Sequence, residues 1–242
     1  MKRLIFGMFT LASFALANGN VTYKVDNKEY EGYYSSPSNN APLVYMVHDW
    51  DGITDYEIKR TKMLNDLGYA VFAVDLYGKG VRPTELADKK AMTKSLYDNR
   101  NEMRKRLNAG LEEAKKLGLN TKNALGMGYC FGGSSILEFA RSGAELKAFI
   151  PFHGNLATPE NQDYKNTKGK VVVFHGTADT VVPFSEFASL AVELENTKLE
   201  HEMITYSGAP HAFSVFGSKS YREDADKKSW KRFTEVLEET LK

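Results

Sequence analysis

The chain has 242 residues, 42% of them hydrophobic, with 32 basic against 31 acidic side chains and a formal net charge of +1. That length and composition suit one sizeable α/β core, and no charge excess of the kind that holds nucleic acid is present. A single cysteine, Cys130, excludes a disulfide framework within the chain.

Lys2 and Arg3 precede an apolar run from Leu4 to Leu16, closed by Ala15-Leu16-Ala17, the small-x-small pattern of a signal-peptide cleavage site. We expect residues 1–17 to be removed after Ala17 on export, leaving 18–242 as a single domain in the periplasm or outside the cell. The apolar run is too short for a comfortable transmembrane helix, and nothing later in the sequence is long and apolar enough to anchor the mature chain in a bilayer. In an exported protein one unpaired cysteine points to a reactive thiol or an intermolecular bond.

Val21 to Val25 and Glu29 to Tyr34 alternate apolar and polar residues around Asp26-Asn27-Lys28, which predicts an antiparallel hairpin. Leu43 to Val47 reads as a strand buried on both faces, running into His48-Asp49-Trp50-Asp51-Gly52. Asp55 is placed to cap a helix with Ile58, Leu64 and Leu67 on its apolar side, before a buried strand at Ala70 to Val74 and the loop Asp75 to Gly80. Pro83 and Thr84 open a helical region in which Met103, Leu107, Leu111 and Ala114 share a face, ending at Gly118; Arg100, Arg104, Lys105 and Arg106 read as its solvated side. A strand around Ala124 to Gly128 follows, then a helix from about Gly132 to Arg141. Strands at Leu146 to Phe152 and Lys170 to Phe174, a helix at Ser185 to Glu195, a strand at His201 to Tyr206 and a last helix carrying Trp230, Phe233, Leu237 and Leu241 complete the chain. This alternation predicts an α/β fold: a mostly parallel sheet with helices on both faces, preceded by the hairpin. In such a sheet the chemistry gathers at the carboxyl ends of the strands, where His48, Asp49, Asp75, Cys130, His153, His175, Asp179 and His211 all fall.

Gly128-Tyr129-Cys130-Phe131-Gly132 has the Gly-x-nucleophile-x-Gly pattern of a strand-to-helix elbow, in which the glycines remove side chains that would collide across a strained turn. The turn places the sulfur beside a helix N-terminus, whose positive end favours a thiolate. An activated cysteine needs a base, and the base needs an acid to orient it. Asp179 follows a buried strand and His211 lies in the loop Ser207 to Phe213, so nucleophile, acid and histidine come in the chain order of α/β-hydrolases. The backbone N–H groups of Phe131 and Trp50 are the candidates to hold an oxyanion.

The stretches His48 to Gly52, Gly68-Tyr69-Ala70, Asp75 to Gly78, Gly128 to Gly133, Phe152-His153-Gly154, His175-Gly176 with Asp179, and His211-Ala212-Phe213 together resemble the dienelactone hydrolase family, over nearly all of the expected mature chain. The resemblance implies an α/β-hydrolase fold and hydrolysis of esters or lactones through an acyl-cysteine, with Cys130 as nucleophile, His211 as base and Asp179 as orienting acid, and with no cofactor or metal. Asp49 stands where the family's dienelactone enzymes carry a glutamate that interacts with the cysteine, which assigns it the tuning of the thiol. Val215 stands where those enzymes bind the dienelactone carboxylate through arginine, and Lys79 is the basic residue in the loop after Asp75. A substrate other than dienelactone follows. Trp50, Tyr77, Phe131, Phe152 and Phe213 are expected to line an apolar pocket for a neutral ester, lactone or acyl chain. The expected partner is therefore a small-molecule ester, lactone or thioester, met by a monomer or small homo-oligomer. Three other readings stay open: thioester hydrolysis or acyl transfer by the same residues, a non-catalytic redox or ligand-binding member of the fold, and a metal site built from His48, Asp49, His153, His175 and His211.

Overall fold

A computed structural model describes residues 18–242, so the expected leader at 1–17 lies outside the described residues. Along the chain the strands are β1 (Gly19–Val25), β2 (Lys28–Ser35), β3 (Pro42–Val47), β4 (Ala70–Val74), β5 (Asn120–Tyr129), β6 (Ala148–Phe152), β7 (Lys170–Gly176) and β8 (His201–Tyr206). The helices are α1 (Asp55–Asp66), α2 (Leu86–Asp98), α3 (Arg100–Lys116), α4 (Phe131–Arg141), α5 (Phe184–Thr197) and α6 (Glu223–Leu241). All eight strands join one sheet in the order β1-β2-β4-β3-β5-β6-β7-β8. The hairpin β1–β2 is antiparallel, joins β4 antiparallel, and leaves the remaining six strands parallel to one another.

The continuous apolar runs of β3, β4, β6 and β7 become buried strands because helices cover both faces of the sheet. Met103 and Leu107 of α3, Ile136 of α4 and Leu190 and Leu194 of α5 pack into one core cluster. Leu64 of α1 and Phe233, Val236 and Leu237 of α6 pack into the other. No helix among the described residues is long and apolar enough to cross a membrane.

Two local expectations change. Thr54, not Asp55, caps α1: its hydroxyl accepts from Tyr56 N–H, and the Glu57 carboxylate accepts from Thr54 N–H in return. The buried side of α1 then carries Glu57, Arg60, Thr61 and Leu64, while Ile58 and Leu67 reach solvent. The region from Pro83 to Gly118 is two helices, broken at Asn99, whose side chain caps α3 by accepting from Glu102 N–H. Its basic residues hold the fold together. Arg100 and Arg104 pair with the fully buried Glu138 of α4 at 3.6 and 2.6 Å, beside Arg141 at 2.9 Å, and Lys105 pairs with Asp26 of the hairpin.

The turn from β5 into α4 is tightly packed against backbone on both sides. Cys130 has φ 50° and ψ −113°, outside the regions L-residues prefer. A Cβ on Gly128 would overlap the carbonyl of Gly132, and one on Gly132 would overlap the carbonyl of Val47 in β3. Backbone cannot yield as a side-chain tip can. Gly132→Ala is therefore expected to lower stability by about 3 kcal/mol or more, read as a fall in the urea midpoint or as loss of soluble protein; an unchanged midpoint would contradict this packing.

Candidate active site

The parallel strands bring the carboxyl-end residues to one edge, and three of them meet. His211 Nε2 lies 3.1 Å from Cys130 Sγ, and His211 Nδ1 lies 2.9 Å from Asp179 Oδ2. Asp179 is itself fixed: its Oδ1 accepts from the N–H groups of Val181 and Val182 at 2.9 and 2.8 Å, in the turn between β7 and α5. His211 sits in the loop after β8, where Ala212 takes φ 60° and turns the chain back into the core at Phe213. Cys130 keeps partial exposure at the N-terminus of α4 and makes no capping bond to it. The Phe131 N–H, at the first helical position, has no acceptor within its own helix.

Charge at this relay is stabilised from both ends. Burial works against a protonated His211, but hydrogen bonds to Asp179 and Cys130 outweigh it and raise its pKa to about 10. Burial likewise works against the Asp179 charge, but His211 and the Val182 N–H outweigh it and hold the carboxyl below its ordinary value. The neighbouring histidines behave oppositely: burial, joined by the charge of His211, keeps the His153 ring neutral far below its usual pKa, and burial also lowers His175.

Asp49 does not join the relay. Burial, then Asp51 and Glu57, push its carboxyl well above the usual range, while Asp51 is held below it, against its own burial, by Asp49 and by Lys89. Asp49 Oδ1 accepts from Asp51 N–H at 3.1 Å, and Lys89 pairs with Asp51 at 3.0 Å, so the Asp49 carboxyl is engaged with Asp51. The fully buried Glu57 is pushed up to about 7 by burial, against the hydrogen bonds from Thr54.

The expected pocket residues divide. Trp50 is half-buried, with the Lys89 ammonium 5.3 Å from its ring centroid, and its carbonyl accepts from the Tyr77 hydroxyl at 3.1 Å. Tyr77 packs on His48 and Phe131, with ring centroids at 4.7 and 5.6 Å. Phe152 instead packs among Tyr129, Phe174 and Phe233 under α6, Phe213 is fully buried against His153 and Tyr206, and Lys79 pairs with Glu29 on the hairpin. Tyr97, which no motif marks, arrives from α2: its hydroxyl donates to Ser134 Oγ at 3.0 Å and its ring meets the edge of Phe131 at 5.5 Å. His48 is occupied, with Nε2 accepting from Leu76 N–H at 3.1 Å. Among the described residues no three His, Cys, Asp or Glu side chains converge on a position for a metal ion.

A mostly parallel eight-stranded sheet, helices on both faces and a tight turn bearing Cys130 between β5 and α4 define an α/β-hydrolase. Residues 30–241 match the model of the dienelactone hydrolase family, and the chain belongs to that family of hydrolases. A protein of Aquifex aeolicus (strain VF5), provisionally named carboxymethylenebutenolidase, is 26% identical over 199 residues, 80% of this chain and 85% of its own. Protein usf of Aquifex pyrophilus is 24% identical over the same shares of the two chains. Among solved structures, the dienelactone hydrolase-like promiscuous phosphotriesterase P91 from metagenomic libraries superposes with a TM-score of 0.87 at 25% identity, covering 93% of this chain and 99% of its own.

Two titrations check this electrostatic arrangement. Asp179→Asn should bring His211 down from about 10 by about 2 units, read from the ring resonances by NMR; a His211 still titrating near 10 would contradict the relay. Because the Glu57 pKa is raised above its unfolded value, the folded state binds the extra proton, and stability falls as pH rises from about 4.5 through about 7. Glu57→Gln should flatten the fall of the urea midpoint across that window; an equal slope in both proteins would count against the buried carboxyl.

Proposed function

We propose that the protein hydrolyses neutral carboxylic esters or lactones through an acyl-cysteine intermediate. The observation that carries this reading is the continuous relay from Cys130 through His211 to Asp179 at 3.1 and 2.9 Å. The Cys130 thiolate attacks the acyl carbon, forming the C–S bond and moving the carbonyl electrons onto oxygen. The N–H groups of Phe131 and Trp50 receive that oxyanion. When the C–O bond breaks, His211 gives its proton to the leaving alcohol, which departs and leaves the acyl group on sulfur. Neutral His211 then takes a proton from water as the water attacks the thioester, and collapse of the second tetrahedral intermediate expels the thiolate and releases the acid. Asp179 holds the ring in the tautomer both steps need.

Neutrality of the substrate is supported by the basic residues nearby, which are already engaged. Lys79 pairs with Glu29, Lys89 with Asp51, and the Arg82 Nε–H donates to the Ile53 carbonyl at 2.7 Å. Thioesters enter the same scheme with a better leaving group, so thioester hydrolysis is the neighbouring activity of the same residues.

With reduced protein and a panel of short-chain p-nitrophenyl esters, lactones and acyl thioesters, the wild type should turn over and show one acyl adduct by intact mass. Cys130→Ala should form no adduct, and both Cys130→Ala and His211→Ala should lose turnover by about 10³-fold or more. Equal inactivity of all three folded proteins across the panel would sink the proposal.

A further inference from the structure

We propose that His153, acting with Ser214, is a positioning residue that sets the tilt of the His211 ring toward Cys130; this rests on the acyl-cysteine reading above. The relay itself leaves that tilt open. Its two hydrogen bonds hold Nδ1 and Nε2, but the third anchor of the ring, the Cγ–Cβ bond, follows wherever the loop carries the His211 backbone. The His153 ring removes this freedom by packing edge-to-face on His211, with centroids 5.4 Å apart and planes at 66°.

His153 is held by its own backbone and by one polar link. It follows β6 directly with φ 40°, its N–H donates to the Phe174 carbonyl at 2.8 Å, and its Nε2 is hydrogen-bonded to Ser214 Oγ at 2.8 Å. Ser214 lies three residues beyond His211, so the same link moors the catalytic loop. Behind Ser214 is a brace drawn from two helices. The Tyr56 hydroxyl of α1 is 3.1 Å from Ser214 Oγ, and the buried Arg60 guanidinium donates to the Ser214 carbonyl at 2.9 Å while pairing with Asp226 of α6. Ser214 thus ties the far end of the loop to α1 and, through Arg60, to α6, while the Ala178 N–H and Thr177 Oγ1 hold its near end at the Ala209 carbonyl and the Gly208 N–H, at 3.0 and 2.9 Å.

Packing alone does not call for histidine at 153. Its Nδ1 is buried with no partner, a cost that a phenylalanine of the same shape would not carry. What histidine adds is the bond to Ser214 together with a ring that stays uncharged beside the His211 imidazolium. Two constraints, ring tilt and loop mooring, then meet in one side chain.

The test uses the reduced protein with His153→Phe, which keeps the ring and loses the Ser214 bond, and Ser214→Ala, which keeps His153 and loses the hydroxyl. Turnover of p-nitrophenyl acetate and the pH profile of Cys130 alkylation by iodoacetamide are read on each, with thermal melting as a check of folding. Each variant is expected to lose about 5- to 30-fold in kcat with KM within about twofold. The alkylation profile should change, with labelling at neutral pH slowed by about threefold or more, and the double variant should lose less than the product of the two single losses. A residue that only filled space would lower the melting temperature and leave the alkylation profile in place. If His153→Phe does not fold, Ser214→Ala carries the same expectations alone. Folded variants with wild-type kcat and an unshifted profile overturn the positioning role while the wild type still turns over; a wild type with no turnover overturns the catalytic reading, and this inference with it.

Discussion

The arrangement depends on how closely three stretches of backbone approach at the end of β5. Val47 of β3, Gly128 of β5 and Gly132 of α4 stand so near one another that no Cβ fits at either glycine, and Gly133 and Gly154 meet in the same way on the β6 side. This contact forces the chain to reverse at Cys130 with a positive φ, lifting the sulfur off the sheet edge and into reach of a loop that starts three strands away. A looser turn would leave Asp179 and His211 as an ordinary loop ion pair. The strain at Cys130 is offset elsewhere, by the packed cores on both faces of the sheet.

Around that turn the protein segregates charge. On the side of β7 and β8, Asp179 is held ionised and His211 is held protonated, each by the other. On the side of β3, burial and carboxyl neighbours push Asp49 well above its ordinary pKa, while Asp51, against its own burial, is held below its own by Asp49 and by Lys89, which pairs with it at 3.0 Å. The buried rings of His153 and His175 stay neutral between these regions.

Sequence made the relay legible because its signals are local. Glycines two before and two after Cys130, an aspartate just past one strand and a histidine in a Gly-Pro loop after the next can each be read within a few residues, and their order excludes other hydrolase arrangements. The hairpin and the parallel strands were legible for the same reason: their hydrophobic periods are short. What lies beyond reach depends on contacts between distant segments. Thr54, three residues before Glu57, is a local capping signal, but nothing near Arg60 says that α1 turns this side inward, since its partner Asp226 lies 166 residues away. Tyr97 has no pattern around it and matters only because α2 crosses near Ser134. Nothing local to Phe152 or Phe213 says which way its ring faces, and both pack in the core cluster with Phe174 and Phe233.

The hairpin gives the molecule a direction. Gly19 pairs with Tyr34, and the following residue of β2, Ser35, faces Val71 near the start of β4, while the Ser36 N–H donates to the Asn18 side chain. The described chain thus enters at the edge where the parallel strands begin, and Cys130, Asp179 and His211 lie at the edge where they end. A carrier, bead or surface joined ahead of Asn18 would sit behind the sheet, with the thiol turned outward to whatever solution or interface lies beyond.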